Sequence, residues 1–417
     1  MTATRLRVFA VFSLGYFVSF LFRGVNLGFA PFLTKEMGFT ATDLGTLTSL
    51  YFLGFAGAQI PAGVLLDHFG ARRVTASVLV FAAVGALFFA LSHHLPGMMF
   101  GRLLIGVGAS VCLGGAFKAT AQYFPVSQLT FVNGLVMAVG GLGGVAVGAP
   151  LTQLLLVVPW RTVSVGLAIF TACVAATIWI GAPSGGATAS RATIAEQLKG
   201  TLHILRSRAF WKVATFSGLT QAVFYAMQSL WVGPFLRDLV PSTAVISPTR
   251  IGTLISVLGA AFIVGNISFG ALARAGERRG IRVEVFSGMT MLLYVIVQAL
   301  LAFRVALPEP MLWAAYGALG GTGILTYAVL AEYFPSTLIG RANTTFTLVI
   351  FVGIFVAQNA IGAALGHWPA TNGHYPVEAH QTVWSCLIAI QLLAAVWYFM
   401  PDRARRATRA ADRLEDA

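Results

Sequence analysis

Carboxylates are scarce in this chain: 14 aspartates and glutamates stand against 27 lysines and arginines in 417 residues. None lies near the middle of a long apolar run. Glu284 and Glu332 fall near run ends, and Asp67 falls between two runs. Charge of either sign is thin, at 10% of residues against about 25% in a soluble domain. Hydrophobic residues make up 57%, which excludes an ordinary soluble fold. The three cysteines, Cys112, Cys173 and Cys386, all lie in apolar runs, so no disulfide framework is expected. The chain has no Gly-x-x-x-x-Gly-Lys phosphate loop, which argues against an ATP-driven machine. Neither a metal-ligand cluster nor a nucleophile–base pairing is legible, so the expectation is no enzyme, no metal and no cofactor. His93, His94, His367, His374 and His380 read as scattered polar loop residues.

What the chain has instead is length in its apolar runs. Twelve are long enough to cross a bilayer as helices, at roughly 8–33, 42–66, 74–92, 97–122, 130–156, 161–181, 210–236, 251–273, 283–303, 309–332, 342–366 and 382–400. Continuous runs of this length exclude a β-barrel, whose strands are short and alternate. The first is too long for a cleavable signal and lacks a cleavage site. With both termini inside, the inner side collects Arg5, Arg7, Arg72, Arg73, Arg191, Lys199, Arg206, Arg208, Lys212, Arg274, Arg278, Arg279, Arg282, Arg341 and five arginines of the tail. The outer loops keep Lys35, Arg161, Arg237, Arg250 and Arg304. This asymmetry is the positive-inside pattern. The net charge of +13 is therefore a topology signal, not a nucleic-acid surface. A multi-pass protein of a bacterial inner membrane is expected, with both termini cytoplasmic.

The sequence repeats itself. Ala30-Pro-Phe-Leu33 matches Gly233-Pro-Phe-Leu236, Leu44-Gly-Thr-Leu47 matches Ile251-Gly-Thr-Leu254, and Ala121-Gln-Tyr-Phe-Pro125 matches Ala331-Glu-Tyr-Phe-Pro335. The order is kept and the separation drifts slowly, as after duplication of a six-span unit. The expected organisation is an N-terminal six-helix bundle over 1–181, a linker over 182–209, a C-terminal six-helix bundle over 210–400 and a cytoplasmic tail over 401–417. In the linker, Ile194, Leu198, Leu202 and Leu205 recur at helical spacing among Lys199, His203, Arg206 and Arg208, so a short amphipathic helix on the inner surface is expected. The fold class is an all-α membrane protein of two pseudo-symmetric bundles. In such duplicated halves a solute site forms near the midplane and is reached from alternate sides.

Three cations fall inside the runs. Arg23 lies about two-thirds of the way along the first, with Tyr16, Ser19 and Asn26 on the same helical stripe. Such a guanidinium costs about 2.5–3.5 kcal/mol on insertion scales and faces a protein interior or a watery cavity. Arg102 and Lys118 share the fourth run. Arg102, close to the outer end, reads as a carbonyl-bonded strut, and Lys118 as either a site residue or an interfacial anchor. No mid-span acid stands opposite any of the three. In the seventh run Ser217, Gln221, Tyr225 and Gln228 form a second polar stripe, and in the tenth Tyr316, Gly320, Gly323 and Tyr327 share a face.

Gly63-Val-Leu-Leu-Asp67-His-Phe-Gly70-Ala-Arg72-Arg73, between the second and third runs, resembles the G-x-L-x-D-x-x-G-x-R-R loop of the major facilitator superfamily. Arg102-Leu-Leu-Ile-Gly106-Val-Gly108 resembles its R-x-x-x-G-x-G signature. In the second half Arg274 stands where the aspartate would be, and Ala149 interrupts the Gly-Pro of the antiporter signature. The resemblance implies twelve spans, alternating access, a conformational latch at Asp67 with Arg72 and Arg73, and a coupling role for Arg102. An unpaired positive cavity implies a small anionic organic solute, a carboxylate or amino-acid-like metabolite. Its ligands would be Arg23, Tyr16, Asn26, Lys118, Gln221, Tyr225, Gln228, Tyr316 and Tyr327. Proton coupling stays open, with the proton riding on the substrate or the membrane potential acting alone. The expected partners are that solute and the bilayer, with the chain a monomer. The alternative is an exporter of drugs or siderophores using the glycine-rich fifth span.

Overall fold

The computed structural model describes residues 3–183, 194–239, 247–371 and 374–400. The expected tail at 401–417, the linker arginine Arg191 and the tail arginines lie outside the described residues. Eleven helices are long and apolar enough to cross a membrane: Ala3–Met37, Ala41–Phe69, Ala71–Leu91, Leu95–Tyr123, Ser127–Leu155, Trp160–Gly181, Pro248–Glu277, Val283–Ala302, Glu309–Tyr333, Leu338–Leu365 and Val377–Phe399. The seventh span is the twelfth such element. It is built in three pieces, Arg208–Ala226, a π turn at Met227–Trp231, and Val232–Asp238. Most helices are longer than the apolar runs, the first by nine residues, because their ends continue into polar caps.

Local chemistry ends and starts these helices. Thr40 and Asp43 form a reciprocal capping box at the start of the second span. Gly70 takes φ +81°, so one residue turns the chain from the second span into the third. The repeated Tyr-Phe-Pro motif stops the fourth and tenth spans the same way. Phe124 and Phe334 are both extended, as a residue before proline must be. The linker forms a helix at Ile194–Leu205. Its face of Gly200, Thr201 and Ile204 is buried, and Gly200 lies against the Arg341 side chain of the eleventh span.

Four spans are interrupted: the fourth at Ser110–Val111, the fifth at Val147–Gly148, the seventh at its π turn, the tenth at a 3₁₀ turn, Gly321–Ile324. A broken helix in lipid must have its freed carbonyls answered from neighbouring spans. Each break has such a partner. Ser19 donates to the Ala109 carbonyl (3.3 Å), Ser256 to Val145 (3.0 Å), Gln358 to Ala226 (3.0 Å) and Gln221 to Gly323 (3.5 Å). The first and last of these are mirror images in the two halves, first span to fourth and seventh to tenth.

Close packing fixes the rest. A Cβ on Gly106 would stand 2.0 Å from the Tyr51 carbonyl of the second span, and one on Gly108 would stand 2.2 Å from Ala82 N of the third. The fourth span is thus wedged between both. Gly106→Leu is expected to destabilise the protein by about 1–3 kcal/mol through overpacking. Gly166→Leu, where nothing lies within 4 Å, should be near neutral. Thermal unfolding of the two variants in detergent checks this.

Candidate functional site

The two halves meet around the first, second, seventh and eleventh spans, and Arg23 stands at that meeting. Its guanidinium lies over Phe20 (4.2 Å to the ring centre), over Tyr225 of the seventh span (5.0 Å) and over Phe351 of the eleventh (5.4 Å). Two of these three rings come from the other half. Phe351 in turn stacks on Phe55 at 4.0 Å, nearly parallel. The phenols of Tyr16, Tyr51 and Tyr225 are within electrostatic reach of the Arg23 charge, and that of Tyr327 reaches both Arg23 and Tyr16. Arg23 keeps 7% exposure. Its Nε has no hydrogen-bond partner, and no carboxylate pairs with it among the described residues. Desolvated cation–π contacts are worth about 0.5–2 kcal/mol each, the same order as the insertion cost of about 2.5–3.5 kcal/mol. Aromatic faces can therefore hold the charge in place, with the Tyr51 and Tyr225 side chains hydrogen-bonded at its edge, while its Nε donor stays available for a ligand.

Of the residues expected to line the site, Tyr16, Arg23, Tyr225 and Tyr327 come together. Gln228 also faces the seam, its amide nitrogen 3.8 Å from the Cβ direction of Gly144 in the fifth span. Tyr327 shares a hydrogen bond with Thr347 (3.2 Å). Gln221 is tied to Gly323 as a break partner. Asn26 donates to Thr48 (2.9 Å) and is buried, so it joins the first and second spans.

Tyr316 is a correction. It is fully buried among Phe224, Tyr294, Trp313 and Trp384 inside the C-terminal half. The 3₁₀ turn between it and Tyr327 has three residues per turn in place of 3.6, which rotates the two apart by about 80°. The shared face expected of a continuous helix does not exist.

Of the other two cations, Lys118 gains an acid from the end of the second span, and Arg102 meets a carbonyl. Lys118 Nζ is 2.7 Å from Asp67 Oδ1. Both line a cavity of about 480 Å³ at the linker end, with Gln59, Gln122, the linker's Gln197 and Thr344 of the eleventh span. Arg102 is 1% exposed, donates to the Phe22 carbonyl (3.2 Å) and lies over Phe89. It is the carbonyl-bonded strut, and it grips the first span one residue before Arg23. Arg72 donates to the Trp179 carbonyl (2.7 Å), within its own half, and Arg73 is exposed. Asp67 therefore makes its ion pair inside the N-terminal half, not across to the other.

The far end, away from the linker, is sealed. Thr46 bonds Asn359 (3.0 Å), Thr42 the Gly362 carbonyl (3.3 Å), Gln153 bonds Thr249 (3.3 Å), and the Ala149 amide donates to Ser256 (2.8 Å). A Cβ on Gly45 would stand 2.7 Å from the Gln358 carbonyl, and one on Gly362 would stand 2.7 Å from the Ala41 carbonyl. Sequence reasoning missed Tyr51, Phe351 and Gln358, which carry no local motif. It also missed His380, which is buried against Asp238 rather than scattered in a loop. Its spacing after the Asp238 segment leaves no signal.

Comparisons with known proteins follow this geometry. A family model, Major Facilitator Superfamily, matches residues 12–358. A probable sulfoacetate transporter of Cupriavidus necator is 26% identical over 38% of this chain and 37% of its own. A putative tartrate transporter of Agrobacterium vitis is 28% identical over 36% and 35%, and a probable L-galactonate transporter of Escherichia coli is 28% identical over 31% and 28%. The matches thus span about a third of these relatives. Among solved structures, an inward-facing, occupied bacterial homologue of the human lysosomal transporter Spinster aligns over 96% of this chain and 97% of its own, with TM-score 0.74 and 16% identity. The nucleoside transporter NupG aligns over 96% and 100%, with TM-score 0.76 and 13% identity.

A disulfide between cysteines at positions 46 and 359 is expected to form readily, because the native side chains touch there. It should lock the far end shut, abolish solute flux and leave thermal stability raised. Flux in proteoliposomes before and after reduction checks this.

Proposed function

The chain belongs to the Major Facilitator Superfamily, and from that premise we propose that it is a secondary transporter of a small organic anion, with Arg23 as the anion ligand. The observation that carries the reading is a buried guanidinium at the seam of the two halves, held by aromatic rings and left without a carboxylate. A cargo carboxylate supplies that missing charge through a bidentate pair. Tyr16, Tyr225, Tyr327 and Gln228 then offer hydroxyls and an amide to the rest of a hydroxylated solute. The relatives named for sulfoacetate, tartrate and L-galactonate support an acid of this kind.

Lys118 is paired with Asp67 and Arg102 is held by a backbone carbonyl within the N-terminal half, so Arg23 is the cation at the seam that this reading assigns to the cargo. With the linker side cytoplasmic, the sealed far end and the linker-end cavity make this the inward-open form of an alternating-access cycle in the inner membrane. A proton can enter with the substrate, since no acid adjoins Arg23. The exporter reading draws on the fifth-span glycines, but these pack on Tyr16, Ile263 and Ser256, so their role is accounted for by contact between spans.

Arg23→Gln is expected to weaken anion binding at least about tenfold, the loss of a charge-assisted pair worth about 1.5–3 kcal/mol, with unchanged thermal stability. Arg102→Gln should instead lower stability, because it strips the Phe22 carbonyl of its donor. Calorimetric titration of a hydroxy-monocarboxylate panel, alongside thermal unfolding, separates the two. Normal affinity in Arg23→Gln overturns the assignment.

A further inference from the structure

At the far end of the C-terminal half lies a cluster that the anion site does not use. Asp238 ends the seventh span with its carboxylate fully buried. Its Oδ2 accepts from His380 Nε2 at 2.9 Å and from the Tyr375 amide at 3.2 Å. Its Oδ1 accepts from Arg237 Nε at 3.2 Å and stands 3.1 Å from His374 Nδ1. His380 opens the twelfth span, 5% exposed and edge-on to Phe235. His374 sits on the connecting loop with 43% of its side chain exposed, and an isolated bridge with Thr371 folds that loop back on itself. The next residue on the same loop crosses to the other half: the Tyr375 hydroxyl accepts from the Ala41 amide, the first of the second span, at 3.1 Å.

We propose that Asp238 with His374 and His380 is a proton-binding site, and that the proton it takes at His374 holds the far-end gate closed. An ionised carboxylate has no hydrogen to give, so both histidines present N–H groups to it. An added proton then goes to the outward ring nitrogen of His374, which solvent reaches. His380, sealed from solvent, is the fixed donor that aims the carboxylate. The imidazolium pairs with Asp238 only while the loop is seated, and the seated loop is what brings Tyr375 onto Ala41. Protonation and closure therefore favour each other, as linkage requires. Low pH on the far side drives the carrier towards the form open at the linker end, and high pH releases the gate. The charged and titratable groups facing Asp238 among the described residues are Arg237, His374 and His380.

The test needs no substrate, so it stands apart from the anion assignment. Spin labels at V157C and M311C, exposed far-end positions on the two halves, report gate distance by pulsed electron resonance. The exposed Cys173 and Cys386 are replaced and the buried Cys112 is kept. Lowering the pH from about 8 to about 5.5 should raise the ratio of near to far populations at least about fivefold. His374→Asn, at a half-exposed loop position, should flatten the response to less than about twofold, and Asp238→Asn should do the same if it folds. A native protein whose ratio ignores pH overturns the proposal. So does a His374→Asn variant that keeps the full response.

Discussion

A positive charge inside a bilayer-spanning bundle must be answered, and this structure answers Arg102, Lys118 and Arg23 in three different ways. Arg102 takes a backbone carbonyl, Lys118 takes a carboxylate, and Arg23 takes aromatic faces together with the Tyr51 and Tyr225 side chains. The Lys118 pair matches charge with charge, whereas Arg102 and Arg23 each keep a buried Nε without a hydrogen-bond partner. What sets Arg23 apart is its place: rings of both halves hold its faces at tolerable cost, and its Nε is open to an oxygen. Two of its rings belong to the opposite half, so the electrostatic centre of the molecule is also its mechanical seam.

That seam is asymmetric along its length. At the far end, hydrogen bonds and glycine contacts press backbone on backbone, while the linker end keeps a polar cavity. The four helix interruptions lie along the same surfaces. A break weakens a helix locally, and here a side chain from another span donates to a carbonyl at or beside each break. Such bonds can be exchanged without unfolding a helix, which is what a gate that opens and closes in lipid requires. Gln358 illustrates the coupling: its amide steadies the π turn that aims Tyr225 and Gln228, while its own carbonyl packs on Gly45 across the gate.

The architecture was legible in the sequence because its signals are long or repeated. Apolar runs, a lysine and arginine bias, and duplicated Tyr-Phe-Pro and Gly-Thr-Leu motifs each summarise many residues. Arg23, Tyr225 and Tyr327 were legible for a different reason: a polar residue in an apolar run has few places to go. What was hidden depends on geometry that periodicity does not carry. A four-residue 3₁₀ turn sends Tyr316 into a core, and a contact between distant spans gives Lys118 the acid it lacked in its own. Tyr51 and Phe351 look like any other apolar-run aromatics until the fold puts them beside a charge.

Duplication supplied two similar halves, and the side chains then gave them different work. The position matching Arg23 by the repeat of the first and seventh spans is Ala226, whose carbonyl, just before the π turn, accepts from Gln358. Where the N-terminal half carries a charge, the C-terminal half carries a flexible joint and a ring, Tyr225, laid over that charge. Asp67 likewise has Arg274 at its counterpart, so the Lys118–Asp67 pair is not repeated at the matching position. The C-terminal half instead buries Glu284 at the linker end, where Arg282 and the Tyr333 hydroxyl meet it, and Asp238 at the far end. A rocking motion that opens one end while closing the other works Asp67 and Asp238 in opposite phase, and the Arg23 guanidinium lies between them.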